Sequence, residues 1–241
     1  SDSVASPNTT LNAIVAEAFC EAADTLEAAE DFELAVHDLI KEYMTKHQRI
    51  IFNGDGYSEE WVAEAARRGL PNIESTVEAA CTLTTEKAIR LFEKFNIFTR
   101  IELESREEIT YETYAKTINI EALTMIDMAG RQYIPAVIRY TKTLADTVVA
   151  VKAAGADPFV QAELLAQVSA KLRAAKEALT RLEKAAGEAM AMDNVRERAF
   201  FCRDTVRAAM EELRIPIDEL ERMVDKEIWP VPSYGELTFE I

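Results

Sequence analysis

Seven glycines and seven prolines in 241 residues leave few places for this chain to turn or break. Ala, Glu, Leu, Lys and Arg are abundant, so helix is the expected state. Cysteine is scarcer still. Cys20, Cys81 and Cys202 are odd in number, far apart and in no CxxC spacing, which argues against redox chemistry and for reduced, mostly buried thiols in a cytoplasmic protein. The only two histidines, His37 and His47, stand outside any ExxH pair, so the paired motif of a di-iron or di-manganese bundle is missing. Basic residues number 27 against 43 acidic ones, and the net charge of −16 repels nucleic-acid phosphates and anionic membrane surfaces. No apolar run approaches the ~18 residues of a membrane span, and the start has no signal-peptide core. Also absent are GxSxG, HExxH, GxGxxG and any Cys/His pair at catalytic spacing.

What is present is a long helical seam. Leu165, Val168, Leu172, Ala175, Leu179, Leu182, Ala186 and Ala189 alternate three- and four-residue steps without a break, the mark of a coiled coil. Ile134, Val137, Thr141, Leu144, Val148 and Val151 keep the same alternation before it. Between them Gly155 can end one helix in the left-handed region, Asp157 can cap the next and Pro158 fits its first position. The stretch 134–189 therefore reads as a hairpin of two long helices. The predicted fold is all-α: a multi-helix bundle with a long antiparallel coiled-coil-like hairpin and at most a minor short β element.

Along the chain, Leu11, Ile14, Val15, Ala18, Phe19, Ala22 and Leu26 mark the face of a first helix. Phe32, Val36, Leu39, Ile40, Tyr43 and Met44 mark that of a second, and the two are expected to pair through these faces. Arg49-Ile50-Ile51-Phe52 reads as a short β-like run before the densest turn signal in the chain, Asn53-Gly54-Asp55-Gly56. Ser58 should cap the helix bearing Trp61, which Gly69-Leu70-Pro71 stops. Short helices follow near 77–83 and 86–95. Thr99 and Glu102 form a capping box, opening a helical stretch about 80 Å long if continuous to Ala154, with a kink at Pro135. Asp193-Asn194 is the next cap. A third arm through Val195, Ala199, Cys202, Val206, Ala209 and Leu213 should end at Ile215-Pro216, followed by a short helix over 217–226. Residues 237–241 alternate like an edge strand or docking arm. This gives N-terminal helices with the turn-helix motif over 1–98, packing on the bundle; a long-helix bundle over 99–227, with its hairpin turn near 153–158; and an extended tail over 228–241. Together they form one structural domain.

The 53–56 loop before a helix start has the outline of an anion cradle. Glu59 and Glu60 already place negative charge there, however, and the loop lacks the Lys and Ser/Thr of a P-loop and the ligand series of a calcium loop. A structural turn is the simpler reading. The acidic run Glu102, Glu104, Arg106, Glu107, Glu108 and the basic run Arg196, Arg198, Arg203, Arg207 read as solvated helix faces with internal ion pairs.

Arg49-Ile50-Ile51-Phe52-Asn53-Gly54-Asp55-Gly56-Tyr57-Ser58-Glu59-Glu60-Trp61, continuing through Glu64-Ala65 to Arg68-Gly69-Leu70-Pro71-Asn72, closely resembles the C-terminal region of type III glutamine synthetases. Glu104-Ser105-Arg106, Glu112, Tyr114, Ile120-Glu121-Ala122, Ile134-Pro135-Ala136 and Tyr140 resemble that family's helical segment. Asp218-Glu219-Leu220-Glu221 and Trp229-Pro230-Val231-Pro232-Ser233-Tyr234-Gly235-Glu236-Leu237 resemble its C-terminus. The matching blocks run in order from about residue 10 to 241.

The resemblance implies a non-catalytic C-terminal helical region that supports assembly or regulation of an enzyme making glutamine from glutamate, ammonia and ATP. ATP and Mg2+ or Mn2+ are implied for the parent enzyme and no cofactor for this region, because the strand-borne metal and nucleotide residues belong to the preceding part. The partners implied are the catalytic region of the same polypeptide and further copies of the parent in a homo-oligomer, with no nucleic acid and no membrane. No catalytic or metal residue maps onto these motifs, and the fragment alone is expected to be inactive. Asn53, Gly54, Asp55, Gly56, Trp61, Glu104, Ser105, Arg106, Glu121, Pro135, Trp229 and Pro230 carry the family motifs without an assigned role. The competing readings are a regulatory ligand-binding module, for which polar residues such as Asn53 and Ser105 speak, and a free-standing coiled-coil interaction protein.

Overall fold

The computed structural model describes residues 3–232 and 234–239, and among these every regular element is a helix. In order they are α1 (Ala5–Glu27), α2 (Phe32–Lys46), α3 (Glu59–Arg67), α4 (Thr76–Ala80), α5 (Glu86–Lys94), α6 (Arg100–Met128), α7 (Ile134–Ala153), α8 (Phe159–Met190), α9 (Val195–Phe201), α10 (Arg207–Glu221) and α11 (Tyr234–Phe239). The chain divides into two compact units, Ser1–Glu107 and Glu108–Ile241.

In the first unit Ala13, Ile89, Phe92 and Leu103 form a small core flanked by Leu91, Ile97 and Phe98. Alanine is the contact residue of α1, and its size lets the helix lie close on the larger side chains opposite. The consequence inverts the expected orientation of α1. It packs against α2, but Leu11, Ile14, Val15 and Phe19 remain exposed, Phe19 at 72%. On α2, Phe32, Ile40 and Met44 are exposed as well, while Val36, Leu39 and Tyr43 are half-buried. The 49–52 run is not β-like. Gln48–Ile50 is a 3-10 turn and the following residues are irregular, since no neighbouring strand offers the ladder that an isolated extended run needs. Several caps form as the sequence implies. Ser58 accepts the Trp61 N–H, and at the start of α6 the Thr99 N–H donates to Glu102 Oε2 at 2.8 Å while the Glu102 N–H donates to Thr99 Oγ1 at 3.4 Å.

In the second unit the seam is buried as its period requires. Val168, Ala175, Leu179, Leu182, Ala186 and Ala189 of α8, together with Val137 and Leu144 of α7, belong to one core. Leu165 and Leu172 are half-buried at its margin. The turn between α7 and α8 holds Gly155 at φ +81, where any side chain would be strained. Asp157 is not the cap: α8 begins at Phe159, with Pro158 before it and no side-chain cap bond. Helix α8 also packs against α10, and Lys171–Glu219 and Arg181–Glu212 ion pairs of 2.6 and 2.9 Å fix an antiparallel register. Asn194 caps α9 by accepting the Glu197 N–H at 3.0 Å.

Three further expectations are corrected. Helix α10 does not end at Ile215-Pro216 but continues to Glu221 with Pro216 inside it. Pro216, Ile217 and Leu220 are buried there, and that burial offsets the lost N–H bond. The break near Pro135 takes the form of a π-turn, Ala129–Tyr133, closed by the Ile134 N–H on the Ala129 carbonyl. This widens the helix where the proline ring would otherwise press on the preceding turn. A second π-turn, Cys202–Val206, joins α9 to α10. At the C-terminus the alternating run is helical from Tyr234 to Phe239 rather than an edge strand or extended tail. Ser233, Glu240 and Ile241 lie outside the described residues.

Candidate functional site

The motif residues are divided between the two units. Asn53, Gly54, Asp55, Gly56, Trp61, Glu104, Ser105 and Arg106 belong to the first unit, and Glu121, Pro135, Trp229 and Pro230 to the second. Their local roles differ.

In the first unit the 49–70 segment closes into a self-tied loop. The Phe52 and Trp61 rings stack at 4.3 Å and 27°. Arg68, half-buried, lies 6.0 and 5.6 Å from the two ring centroids. Its guanidinium donates to the carbonyls of Arg49 at 3.2 Å and Ile51 at 2.8 Å, and through Nε to Glu64 Oε1 at 2.5 Å. Arg67 adds two bonds of 2.6 Å to the same carboxylate. Hydrogen bonds from Arg67 and Arg68 hold the Glu64 carboxyl down to about 2. Within the loop, Asp55 Oδ1 accepts the Tyr57 N–H at 2.9 Å, and the Ser58 hydroxyl donates to the Asp55 carbonyl at 2.9 Å. Gly54 leaves room for the Phe52 ring, because a Cβ there would lie 2.6 Å from Phe52 Cζ. Asn53, Asp55 and Gly56 are exposed, and Tyr57 is fully so at 101%. The clamp depends on Phe52, Glu64 and Arg68, none of which the motif reading assigns a site role. Their association across four to nineteen positions leaves no periodic trace.

Elsewhere in that unit Glu104 and Ser105 are exposed on α6, and the Arg106 guanidinium sits over the Phe98 ring at 4.1 Å. In the second unit Glu121 is exposed on α6 and Pro135 follows the π-turn. Trp229 stacks on Tyr133 at 5.1 Å and 19°, packing the end of the chain onto the bundle, while Pro230 is exposed. The Trp229 indole nitrogen is buried and has no hydrogen-bond partner among the described residues. The basic run is tied locally: Arg198 Nε donates to the Met192 carbonyl at 3.0 Å, Arg203 pairs with Asp204 at 2.6 Å, and Arg196 and Arg203 lie over the Phe200 ring at 5.8 and 4.8 Å.

Among the described residues no Asp, Glu, Lys, Arg or His side chain is buried. The acids with lowered pKa are held down by surface partners: Glu102 by Thr99, Glu112 by Lys116 and Asp204 by Arg203. Burial raises the Tyr133 and Tyr140 hydroxyls and the Cys202 thiol. These shifts move each group away from neutrality, opposite to what a general acid or base requires. No group of three His, Cys, Asp or Glu among the described residues is placed to hold a metal ion. No helix among the described residues is long and apolar enough to cross a membrane.

Among the described residues every regular element is thus a helix, and the motif residues tie the 49–70 loop and pack Trp229 onto Tyr133. Residues 35–152 match the family described as glutamine synthetase C-terminal domain. The chain belongs to that family. It is 34% identical over 218 residues to the type-3 glutamine synthetase of Dictyostelium discoideum, with 86% of this chain and 29% of that protein aligned. It is also 34% identical to the glutamine synthetases of Butyrivibrio fibrisolvens, over 89% of this chain and 31% of that protein, and of Bacteroides fragilis, over 85% and 29%. The chain thus spans about three tenths of the length of these relatives.

Proposed function

We propose that this chain is a non-catalytic region that supports assembly of a cytoplasmic, homo-oligomeric type III glutamine synthetase, its partner being the catalytic region of the same polypeptide. That region would carry the ATP and Mg2+ or Mn2+ chemistry that joins ammonia to glutamate. The observation that carries this reading is the outward apolar stripe of α1. Leu11, Ile14, Val15 and Phe19 stand at helical spacing and all are exposed, an arrangement that favours a covering partner. The relatives extend well beyond the aligned part, which leaves ample polypeptide to supply one.

The test compares the full-length enzyme, the full-length enzyme lacking these 241 residues, and the isolated chain. The isolated chain should form no glutamine from glutamate, ammonia, ATP and Mg2+. Deletion, or Phe19→Glu with Ile14→Glu, should shift the full-length enzyme to smaller species in light scattering. Turnover by the isolated chain, or an unchanged oligomer after deletion, would overturn the reading.

A further inference from the structure

The 48–72 segment is held almost entirely by itself. Helix α3 shares no extensive packing with another helix among the described residues. What fixes its shape is internal: the Phe52–Trp61 stack, the Arg68 clamp on the Arg49 and Ile51 carbonyls, and the Asp55–Ser58 turn. Such a segment spends its bonding on preserving one geometry while burying little of its own apolar surface. Ile50, Ile51 and Val62 remain 40–59% exposed, and Tyr57 at the tip is fully exposed.

A rigid loop with an aromatic ring at its tip has the properties of an interface anchor. Tyr contributes large contact area with few rotatable bonds and is enriched among the residues that dominate binding. A preformed loop also loses little freedom on docking. The surroundings define the receptor, because Asp55, Glu59 and Glu60 flank Tyr57 and are all exposed. An apolar pocket with a basic rim complements that pattern. A second copy of this chain is a poor candidate, since its net charge is −16 and like charges oppose self-docking.

We propose that Tyr57 docks as an aromatic finger into a basic-rimmed apolar pocket on the portion of a type III glutamine synthetase that lies outside these 241 residues. This rests on the assembly reading above and names the surface through which it would act.

The test uses the full-length enzyme with Tyr57→p-benzoylphenylalanine, crosslinked by light and mapped by mass spectrometry. Crosslinks should fall outside these 241 residues, near Lys or Arg. Crosslinks confined to the 241 residues, or none, would overturn the proposal. Because Tyr57 is fully exposed, Tyr57→Ala should leave the chain folded. In the full-length enzyme it should raise amide exchange over residues 54–60 by about tenfold or more, whereas Tyr57→Phe should keep most of the protection. Equal exchange in wild type and Tyr57→Ala also counts against docking. The two readings separate cleanly. An external crosslink in an enzyme whose oligomer survives deletion of these residues supports docking and overturns the assembly role; an oligomer lost on deletion without any crosslink overturns docking alone.

Discussion

Gly54 sets the spacing between the loop and the aromatic pair beneath it. A Cβ at this position would lie 2.6 and 2.8 Å from the Phe52 ring, and the ring cannot retreat without leaving its stack on Trp61. Gly54→Ala should therefore cost about 1 kcal/mol, the scale of one aromatic pair, and change Trp61 emission in a Trp229→Phe background. Gly56 has nothing within 4 Å of its Cβ position, so Gly56→Ala should stay within about 0.5 kcal/mol of wild type. Urea titration of the two variants checks the contrast. Glu64 gives the loop a pH dependence with a defined sign. Its folded value is depressed to about 2 from 4.5, so its contribution is present above pH 4.5 and lost as the pH falls towards 2. Wild type should lose Trp61 stacking over that window, while Glu64→Gln should begin weaker and change less there.

At the scale of elements, the α7–α8 hairpin rests on a seam whose members differ in burial. Leu179 is 1% exposed and Leu172 is half-buried. Leu179→Ala should cost about 2–5 kcal/mol, and Leu179→Lys should prevent folding, whereas Leu172→Lys should be milder because its ammonium can reach water. Circular dichroism melts separate the three outcomes. The seam was legible in the sequence because its period persists over many turns, and the caps at Ser58, Thr99 and Asn194 were legible because capping is local chemistry. The orientation of α1 was not, since amphipathicity marks an apolar face without saying whether this chain supplies its cover. The alternation that begins at Leu237 misled over 237–239, because a few residues fit a strand and a helical turn equally. Pro216 misled because burial of its neighbours is a tertiary effect. At the candidate site the turn was legible, while the union of Phe52, Trp61 and Arg68 required the segment to close on itself.

Taken whole, the molecule distributes its packing unevenly. One core centres on Ala13, Ile89, Phe92 and Leu103, whereas the other runs along α7, α8 and α10. Native-state amide exchange should be fastest in α1 to α3 and slowest in the middle of α8, since protection follows buried apolar contact. Comparable protection in α3 and α8 of the isolated chain would contradict this distribution. The π-turn at Ala129–Tyr133 has a consequence for how this fold tolerates changes in length. It accommodates one more residue than an α-turn would, and each helical residue rotates the chain by about 100°. Removing one residue there would leave an ordinary α-turn with Val137 and Leu144 still facing α8, because the π-turn absorbs its extra residue locally, whereas the same deletion inside α7 would rotate everything beyond it. A one-residue deletion within 129–133 should therefore destabilise the hairpin less than a one-residue deletion in the middle of α7, a contrast that circular dichroism melts would read.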